Sequence, residues 1–194
     1  MVRPHSGQDE AMNFLASKQQ LRASFIRWAL FCVPLIVLLG FLAGQLGGPQ
    51  TAWFQSLEKP AIYPPPAAFG IVWSVLYVMI GISLALVISA WGAHERGLAI
   101  AAFALHFLGN LAWTPVFFGM QDMQLGLWVL IFVVVSLLGV IALFWKIRRL
   151  AGLLLLPYLA WAIFATALNY QFIAENPDGG ARDAGSGAVE RIEL

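Results

Sequence analysis

Five long apolar stretches constrain the fold of this chain more than any other feature of its sequence. They cover residues 27–46, 67–91, 97–118, 125–145 and 150–174. A helix needs about 20 mostly apolar residues to cross the hydrocarbon core of a bilayer. Backbone polar groups in lipid must be satisfied within the chain, which favours helices. The short connections leave no room for a second domain, so we predict an all-α integral membrane protein with a single bundle of five transmembrane helices.

Composition agrees with that fold class and excludes several functions. Of 194 residues, 60% are hydrophobic and 11% are charged, against about 45–50% and about 25% in soluble domains. The net charge of +1 gives no indication of nucleic-acid binding. The single cysteine, Cys32, excludes a disulfide within the chain, and the histidines His5, His94 and His106 are far apart in sequence. We therefore predict no metal site.

The distribution of Lys and Arg predicts an orientation in the membrane. Eight of these residues fall on the side of the N-terminus and three on the other side, so the positive-inside rule places the N-terminus in the cytoplasm. We predict a multi-pass protein of the bacterial inner membrane. Residues 1–26 read as a basic amphipathic extension, which either lies on anionic lipid or continues the first helix. Residues 27–174 form the membrane domain, and the Gly-rich, charged residues 175–194 a disordered tail.

The interior of the spans carries polar and aromatic side chains rather than charged ones. No Asp, Glu, Lys or Arg lies away from the span ends. Pumps and proton-coupled carriers keep ionisable residues at depth, so an ion pump is disfavoured. A hydrolytic enzyme is disfavoured too, since no nucleophile has a base beside it.

Uncharged polar and aromatic residues recur at helical spacing in three spans. His106 and Asn110 share one face of the third span, beside Trp113. The other candidates are Trp73 and Tyr77 in the second span and Tyr158, Trp161, Ala165 and Asn169 in the fifth. Interhelical hydrogen bonds are the alternative for Asn110, Asn169 and Thr166. His106 is either a neutral link between helices or a haem ligand, and the first reading is favoured.

Small residues also share a face of the third span. Gly97, Ala101 and Gly109 are separated by multiples of four. Such a face allows close approach of helices. It indicates a dimer seam or close packing within the bundle.

Three ordered blocks carry a resemblance to a known family. The first is "WFQSLEKPAIYPPPAAFGIVWSVLY", the second "NLAWTPVFFGM" and the third "PYLAWAIFATALNY". They resemble the translocator protein family, also called the tryptophan-rich sensory proteins or TspO/MBR proteins. The resemblance covers about residues 30–174 and implies a five-helix bundle that is usually homodimeric.

The resemblance also implies ligands and a site. Proteins of this family bind porphyrins such as protoporphyrin IX and haem as ligands, with no cofactor required, and bind sterol-like or aromatic drug molecules. The pocket lies within the bundle beneath the first long loop. Here it implies a ligand site of Trp73, Tyr77, His106, Asn110, Trp113, Tyr158, Trp161, Ala165, Leu168 and Asn169. The proline-rich loop then resembles a lid, with Lys59, Pro60, Tyr63, Pro64 and Pro65, and Lys59 is placed to meet a propionate.

Departures from the family pattern bear on the ligand. Ala61 and Ile62 stand where aromatic residues are common after Lys-Pro, and His106 stands where Gln is common. The sterol-recognition pattern at the end of the fifth span lacks a basic residue after Tyr170.

The resemblance favours a membrane-bound sensor or carrier of tetrapyrroles that acts in porphyrin handling and stress response. One alternative is an enzyme that degrades protoporphyrin IX in light, since the family associates that activity with the tryptophans matching Trp73 and Trp161. Another is a membrane scaffold or regulator with a small-molecule pocket.

Overall fold

The computed structural model describes residues 18–179, which form helices and no strands. The elements in chain order are α1 (Lys18–Gly44), α2 (Ala52–Ser56), α3 (Pro66–Ile88), α4 (Arg96–Thr114), α5 (Met123–Ile147), α6 (Arg149–Leu154) and α7 (Leu156–Glu175). Over this range five helical segments are long and apolar enough to cross a membrane: Gln19–Gly44, Pro66–Ile88, Arg96–Gly119, Met123–Ile147 and Arg149–Glu175. The predicted bundle of five transmembrane helices is confirmed.

Helix α1 packs along α3, and α5 packs against α4, α6 and α7. One core cluster fills the centre of the bundle, with Ile80, Leu137 and Phe144 fully buried. A second, largely aromatic cluster forms around Phe54 and Phe117, beneath the first loop. The bundle therefore has an aliphatic middle and an aromatic end, and the aromatic end lies under the predicted lid.

The first span is longer than its apolar stretch. Helix α1 begins at Lys18 and runs unbroken to Gly44. Over residues 18–26 the predicted N-terminal extension is thus a continuation of the first transmembrane helix. The rest of that extension, residues 1–17, lies outside the described part of the chain.

Two prolines reshape the later spans. Pro115 has no N–H to donate, and α4 passes there into a π-helical turn, Pro115–Gly119, closed by a 2.9 Å bond from the Met120 N–H to the Pro115 carbonyl. The fifth span, predicted as one helix, is interrupted at Leu155 between α6 and α7, with Pro157 in the first turn of α7. The Ala151 carbonyl accepts a 2.7 Å hydrogen bond from Ser83 of α3, which satisfies it inside the bundle.

The small-residue face of α4 divides between two environments. A methyl group at Gly109 would overlap the Phe132 ring of α5, so this glycine serves packing within the bundle. Gly97 has open space where its side chain would be, and Ala101 is exposed. A dimer seam along that exposed part stays a prediction.

The chain beyond α7 does not leave the bundle at once. Helix α7 ends at Glu175, and the turn that follows contacts the first loop through Asn176 and Gly179. Residues 180–194 of the predicted disordered tail lie outside the described residues.

Candidate functional site

A cavity of about 480 Å³ lies within the bundle under the first loop. Its walls come from α1, α3, α4 with its π-helical turn, α5 and α7, and its cover comes from residues 45–49, Phe54 and Tyr63. No Asp, Glu, Lys, Arg or His is among the described residues that line it. Ligand pockets in proteins are typically about 300–1,000 Å³ and mostly apolar with a few polar groups. The cavity is therefore suited to a largely apolar molecule with a few polar groups.

Most of the predicted ligand-binding residues meet at this cavity. Nine of the ten line it: Trp73, Tyr77, Asn110, Trp113, Tyr158, Trp161, Ala165, Leu168 and Asn169. They come from three helices and line the same cavity, and their role in binding a ligand stays a prediction.

His106 is the exception. It is fully buried behind the cavity wall, and its Nδ1 lies 2.8 Å from the Ser136 hydroxyl of α5. That hydroxyl is also 2.7 Å from the carbonyl of Phe132, to which it donates. Because the Ser136 proton is used there, Ser136 accepts from His106 Nδ1–H, which links α4 to α5. The buried Nε2 has no partner within the described residues, so a proton there would be unpaired and the neutral imidazole is favoured. Within residues 18–179, no group of three or more His, Cys, Asp and Glu side chains is placed to hold a metal ion.

Two tryptophans of the cavity have unused hydrogen-bond donors. Trp73 stacks on Tyr77 with ring centroids 5.0 Å apart, and Trp161 contacts Phe69 at 5.8 Å. Among the described residues neither indole N–H has an acceptor, whereas Trp113 donates to Asn169 at 3.3 Å. A half-buried indole normally finds a partner for its N–H. Trp73 and Trp161 thus offer both a ring face and a donor to a molecule in the cavity.

The two asparagines of the site have different roles. Asn110 accepts a 2.8 Å hydrogen bond from the Tyr158 hydroxyl, while its Nδ2 has no acceptor within the described chain. Asn169 is fully used, since it accepts from Trp113 and donates to the Met123 carbonyl at 2.8 Å. Asn110 therefore positions Tyr158 at the inner end of the cavity and keeps its own unpaired Nδ2 buried, and Asn169 joins α7 to the start of α5. Thr166 bonds only to the Ala162 carbonyl of its own helix.

The predicted lid covers the cavity with fewer of its residues than expected. Of Lys59, Pro60, Tyr63, Pro64 and Pro65, only Tyr63 lines the cavity. Burial raises the pKa of its phenol. Its ring contacts Phe54, Phe69 and Phe172 with centroids 5.6–5.9 Å apart.

Lys59 points into its own loop rather than into the cavity. Its ammonium group donates to the carbonyls of Phe54 and Leu57 and lies 4.5 Å from the centroid of the Phe54 ring. Desolvation by burial lowers the pKa of this ammonium group, and the neighbouring Glu58 acts in the opposite direction. The lysine adds a second donor to the Phe54 carbonyl, which also accepts from the Leu57 N–H, and so closes the end of α2.

A polar clamp made by Asn176 holds the loop to the end of α7. Its Oδ1 accepts from the Glu58 N–H at 2.8 Å and its Nδ2 donates to the Glu58 carbonyl at 3.0 Å. A third bond, from Nδ2 to the Phe172 carbonyl, fixes the side chain on α7. Trp53 adds a 3.0 Å bond to the Gly179 carbonyl.

Sequence reasoning missed the contribution of α1 and of several phenylalanines. Gly40 of α1 lines the cavity. It packs so closely against the Tyr77 ring that a methyl group there would overlap the ring. Phe54, Phe117, Phe118 and Phe172 form the aromatic end of the cavity. Phe117 and Phe118 stood in a quoted block and were available as a signal. The apolar face of α1 carried no polar or aromatic pattern that distinguishes its inward side.

Comparison with known proteins matches nearly the same range of residues as the sequence motifs did. Residues 32–174 match the sequence model of the TspO/MBR family. The chain is 34% identical to the tryptophan-rich protein TspO of Chlorobaculum tepidum over 154 residues, which is 75% of this chain and 94% of that protein. It is 37% identical to protein CrtK of Rhodobacter capsulatus, over 65% of this chain and 79% of that protein. It is 34% identical to the human translocator protein, over 71% of this chain and 88% of that protein.

Proposed function

Because this chain belongs to the TspO/MBR family of multi-pass membrane proteins, we propose that it binds a tetrapyrrole, protoporphyrin IX or haem, in the cavity under the first loop. Binding there would serve as the sensing or carrying step of porphyrin handling and stress response. The observation that carries the proposal is the pairing of aromatic walls with the indole N–H groups of Trp73 and Trp161, which have no acceptor among the described residues. A flat macrocycle gains from stacked aromatic walls, and its ring nitrogens and carboxylates accept hydrogen bonds.

The apolar lining dictates how a porphyrin would lie. Its two carboxylates cannot be buried without a partner at acceptable cost. They would therefore point toward the loop, where water is near, with the macrocycle toward Tyr158 and Asn110.

A dark titration tests the proposal. Purified protein in detergent is titrated with protoporphyrin IX and binding is followed by the absorption of the porphyrin. We expect saturable binding that Trp161→Phe weakens about two- to tenfold, the equivalent of about 0.5–1.5 kcal/mol of aromatic contact. Trp128→Phe is the matched control, because Trp128 is 60% exposed and does not line the cavity. Equal affinity in both variants and in wild type contradicts a porphyrin site in this cavity.

The same complexes separate binding from photochemistry. Both tryptophans associated with the light-dependent activity, Trp73 and Trp161, line the cavity. Illumination is compared for wild type, Trp161→Phe and a heat-denatured sample, which measures the bleaching of free porphyrin. Stable spectra support a sensor or carrier. Irreversible loss of the porphyrin bands in wild type alone supports the degrading enzyme instead.

The predicted pairing of Lys59 with a propionate is tested by removing charge from either partner. We expect Lys59→Met to change the affinity for protoporphyrin IX less than about threefold, because the ammonium group is already bonded to two loop carbonyls. Protoporphyrin IX dimethyl ester provides the control without carboxylates. If Lys59→Met weakens the acid but not the ester, the lysine does bind a propionate.

We further propose that the protein lies in the bacterial inner membrane as a homodimer with its basic end in the cytoplasm. Support for the orientation comes from the described charges. One end carries Arg22, Arg27, Arg96, Lys146, Arg148 and Arg149 with Glu95 as its acidic residue; the other carries Lys59 with Glu58, Asp122, Glu175 and Asp178. Labelling of single cysteines placed at Gly92 and Asp122 from outside intact cells tests it, and only the second is expected to react.

A further inference from the structure

A second concave surface lies at the basic end of the bundle, far from the cavity. It is an open groove between the first half of α1 and the turn that follows α3, lined by Ser24, Arg27, Trp28, Phe31 and Trp91. We call it the Arg27 groove. Its residues are distinct from the predicted ligand-binding set, and none lines the cavity.

The walls of the Arg27 groove are built rather than incidental. Trp91 is 64% exposed, yet it is held in place on two sides. Its Nε1 donates to the buried Ser24 hydroxyl at 3.3 Å, and the Arg96 guanidinium lies 4.2 Å from the centroid of its ring. The opposite wall is the edge-to-face pair of Trp28 and Phe31, with ring centroids 6.2 Å apart.

A cation without a counter-ion lies at this groove. Arg27 is exposed and forms no ion pair with any residue between 18 and 179, where the recorded pair is Lys146 with Glu95 at 3.5 Å. With Lys18 included, the same end of the bundle carries seven basic residues against one acidic residue between positions 18 and 179. No residue between 18 and 179 therefore supplies an anion to the groove.

The position of the groove along α1 indicates which kind of molecule would carry the anion. Arg27 lies where the apolar part of α1 begins, and below it Leu30, Phe31 and Leu38 are 53–72% exposed on the surface of the bundle. Tryptophan rings favour the headgroup level of a bilayer, and arginine binds phosphate oxygens with two parallel hydrogen bonds. An acyl chain can run along the exposed side chains while its phosphate meets Arg27.

We propose that the Arg27 groove is a binding site for one anionic phospholipid, with the phosphodiester on Arg27 and the glycerol region against Trp28 and Trp91. The surrounding basic residues select a lipid with net negative charge over a zwitterionic one, because they repel a headgroup cation. This site does not depend on the tetrapyrrole proposal, since the two share no residue.

Native mass spectrometry of delipidated protein in detergent tests the site. Protein is titrated with phosphatidylglycerol and, separately, with phosphatidylcholine of equal chain length. We expect the first phosphatidylglycerol to bind at least about fivefold more tightly than the first phosphatidylcholine. Arg27→Gln is expected to weaken phosphatidylglycerol binding about fivefold or more, the equivalent of about 1 kcal/mol. Arg27→Lys keeps the charge but cannot form two parallel hydrogen bonds to a phosphate. Its affinity for phosphatidylglycerol should lie between those of wild type and Arg27→Gln.

Arg149→Gln is the matched control, because it removes one exposed charge from the same end outside the groove. If it weakens binding as much as Arg27→Gln, the attraction is a diffuse property of the basic end and the site is refuted. Equal affinity for the two lipids in wild type refutes it as well. Displacement of the lipid by inorganic phosphate at the same concentration would show that the acyl chains contribute nothing, which also contradicts the proposal.

Discussion

Removing the Asn176 side chain is expected to loosen the first loop without unfolding the bundle. In Asn176→Ala the loop loses two hydrogen bonds to Glu58, at 2.8 and 3.0 Å. The third bond of this side chain, to Phe172, lies within the end of α7 and does not hold the loop. A net worth of about 0.5–1.5 kcal/mol for each bond gives about 1–3 kcal/mol for the clamp. The open population of the loop should therefore rise about five- to a hundredfold.

Amide hydrogen exchange measures this opening directly. The Glu58 amide loses its acceptor in the variant, so its exchange reports the substitution itself. The useful probes are Leu57 and Tyr63, whose N–H groups donate to the carbonyls of Phe54 and Pro60 in both proteins. Their exchange should accelerate by the same factor, because they are exposed only when the loop opens as a unit. Amides in the middle of α5 should keep their rates.

Ser56→Ala is the control within the same loop. Its hydroxyl donates to the Trp53 carbonyl at 2.7 Å, a bond inside the short helix α2 that does not cross to α7. We expect unchanged exchange at Leu57 and Tyr63 in this variant. Unchanged exchange at those two amides in Asn176→Ala would refute the reasoning, since it would mean that aromatic packing alone holds the loop.

Two further substitutions test the packing of the cavity wall and of the helix contact behind it. Gly40→Ala places a methyl group in the Tyr77 ring and should destabilise the protein by about 1–3 kcal/mol, measured by thermal unfolding in detergent. Gly44→Ala is the control, because a methyl group there meets open space and should leave the melting temperature unchanged. Ser136→Ala removes the hydrogen-bond partner of buried His106 and should cost about 1–3 kcal/mol in the same assay; a melting temperature equal to that of wild type would show that water replaces the hydroxyl.

The sequence was sufficient to predict the fold and the inward faces of three helices. Hydropathy identifies the spans because lipid allows no other solution for the backbone. Helical spacing identified Trp73, Asn110 and Trp161 because polar and aromatic side chains are rare at depth and turn away from lipid. Neither signal says which neighbouring helix covers a residue. His106 has the same spacing as Asn110, but Ser136 of α5 lies against it and removes it from the cavity.

The sequence was insufficient where the site depends on contacts between distant residues. Asn176 bonds to Glu58 across 118 positions of the chain, and its local sequence, rich in Gly and charge, is typical of a disordered tail. The turn of Lys59 into its own loop likewise follows from the short helix α2, which has only five residues and no apolar periodicity to reveal it. These features depend on how distant parts of the chain pack together, which the local sequence pattern does not reveal.

Different interactions form the two ends of the cavity. Changes at one end should alter the affinity for a ligand, and changes at the other end should alter the rates of its entry and exit. The inner end is formed by Tyr158 and Asn110, which line the cavity and are joined by a 2.8 Å hydrogen bond. Asn176 at the other end does not line the cavity, so we expect its clamp to make the same bonds whether or not the cavity is filled. A change that weakens the clamp lowers the barrier to entry and to exit by the same amount, so it speeds both rates and leaves the dissociation constant nearly unchanged. Trp161→Phe removes an indole N–H that has no acceptor among the described residues of the free protein, so under the proposed binding it should raise the dissociation rate alone. Stopped-flow measurement of porphyrin binding to the two variants therefore distinguishes a lid residue from a ligand contact within one experiment.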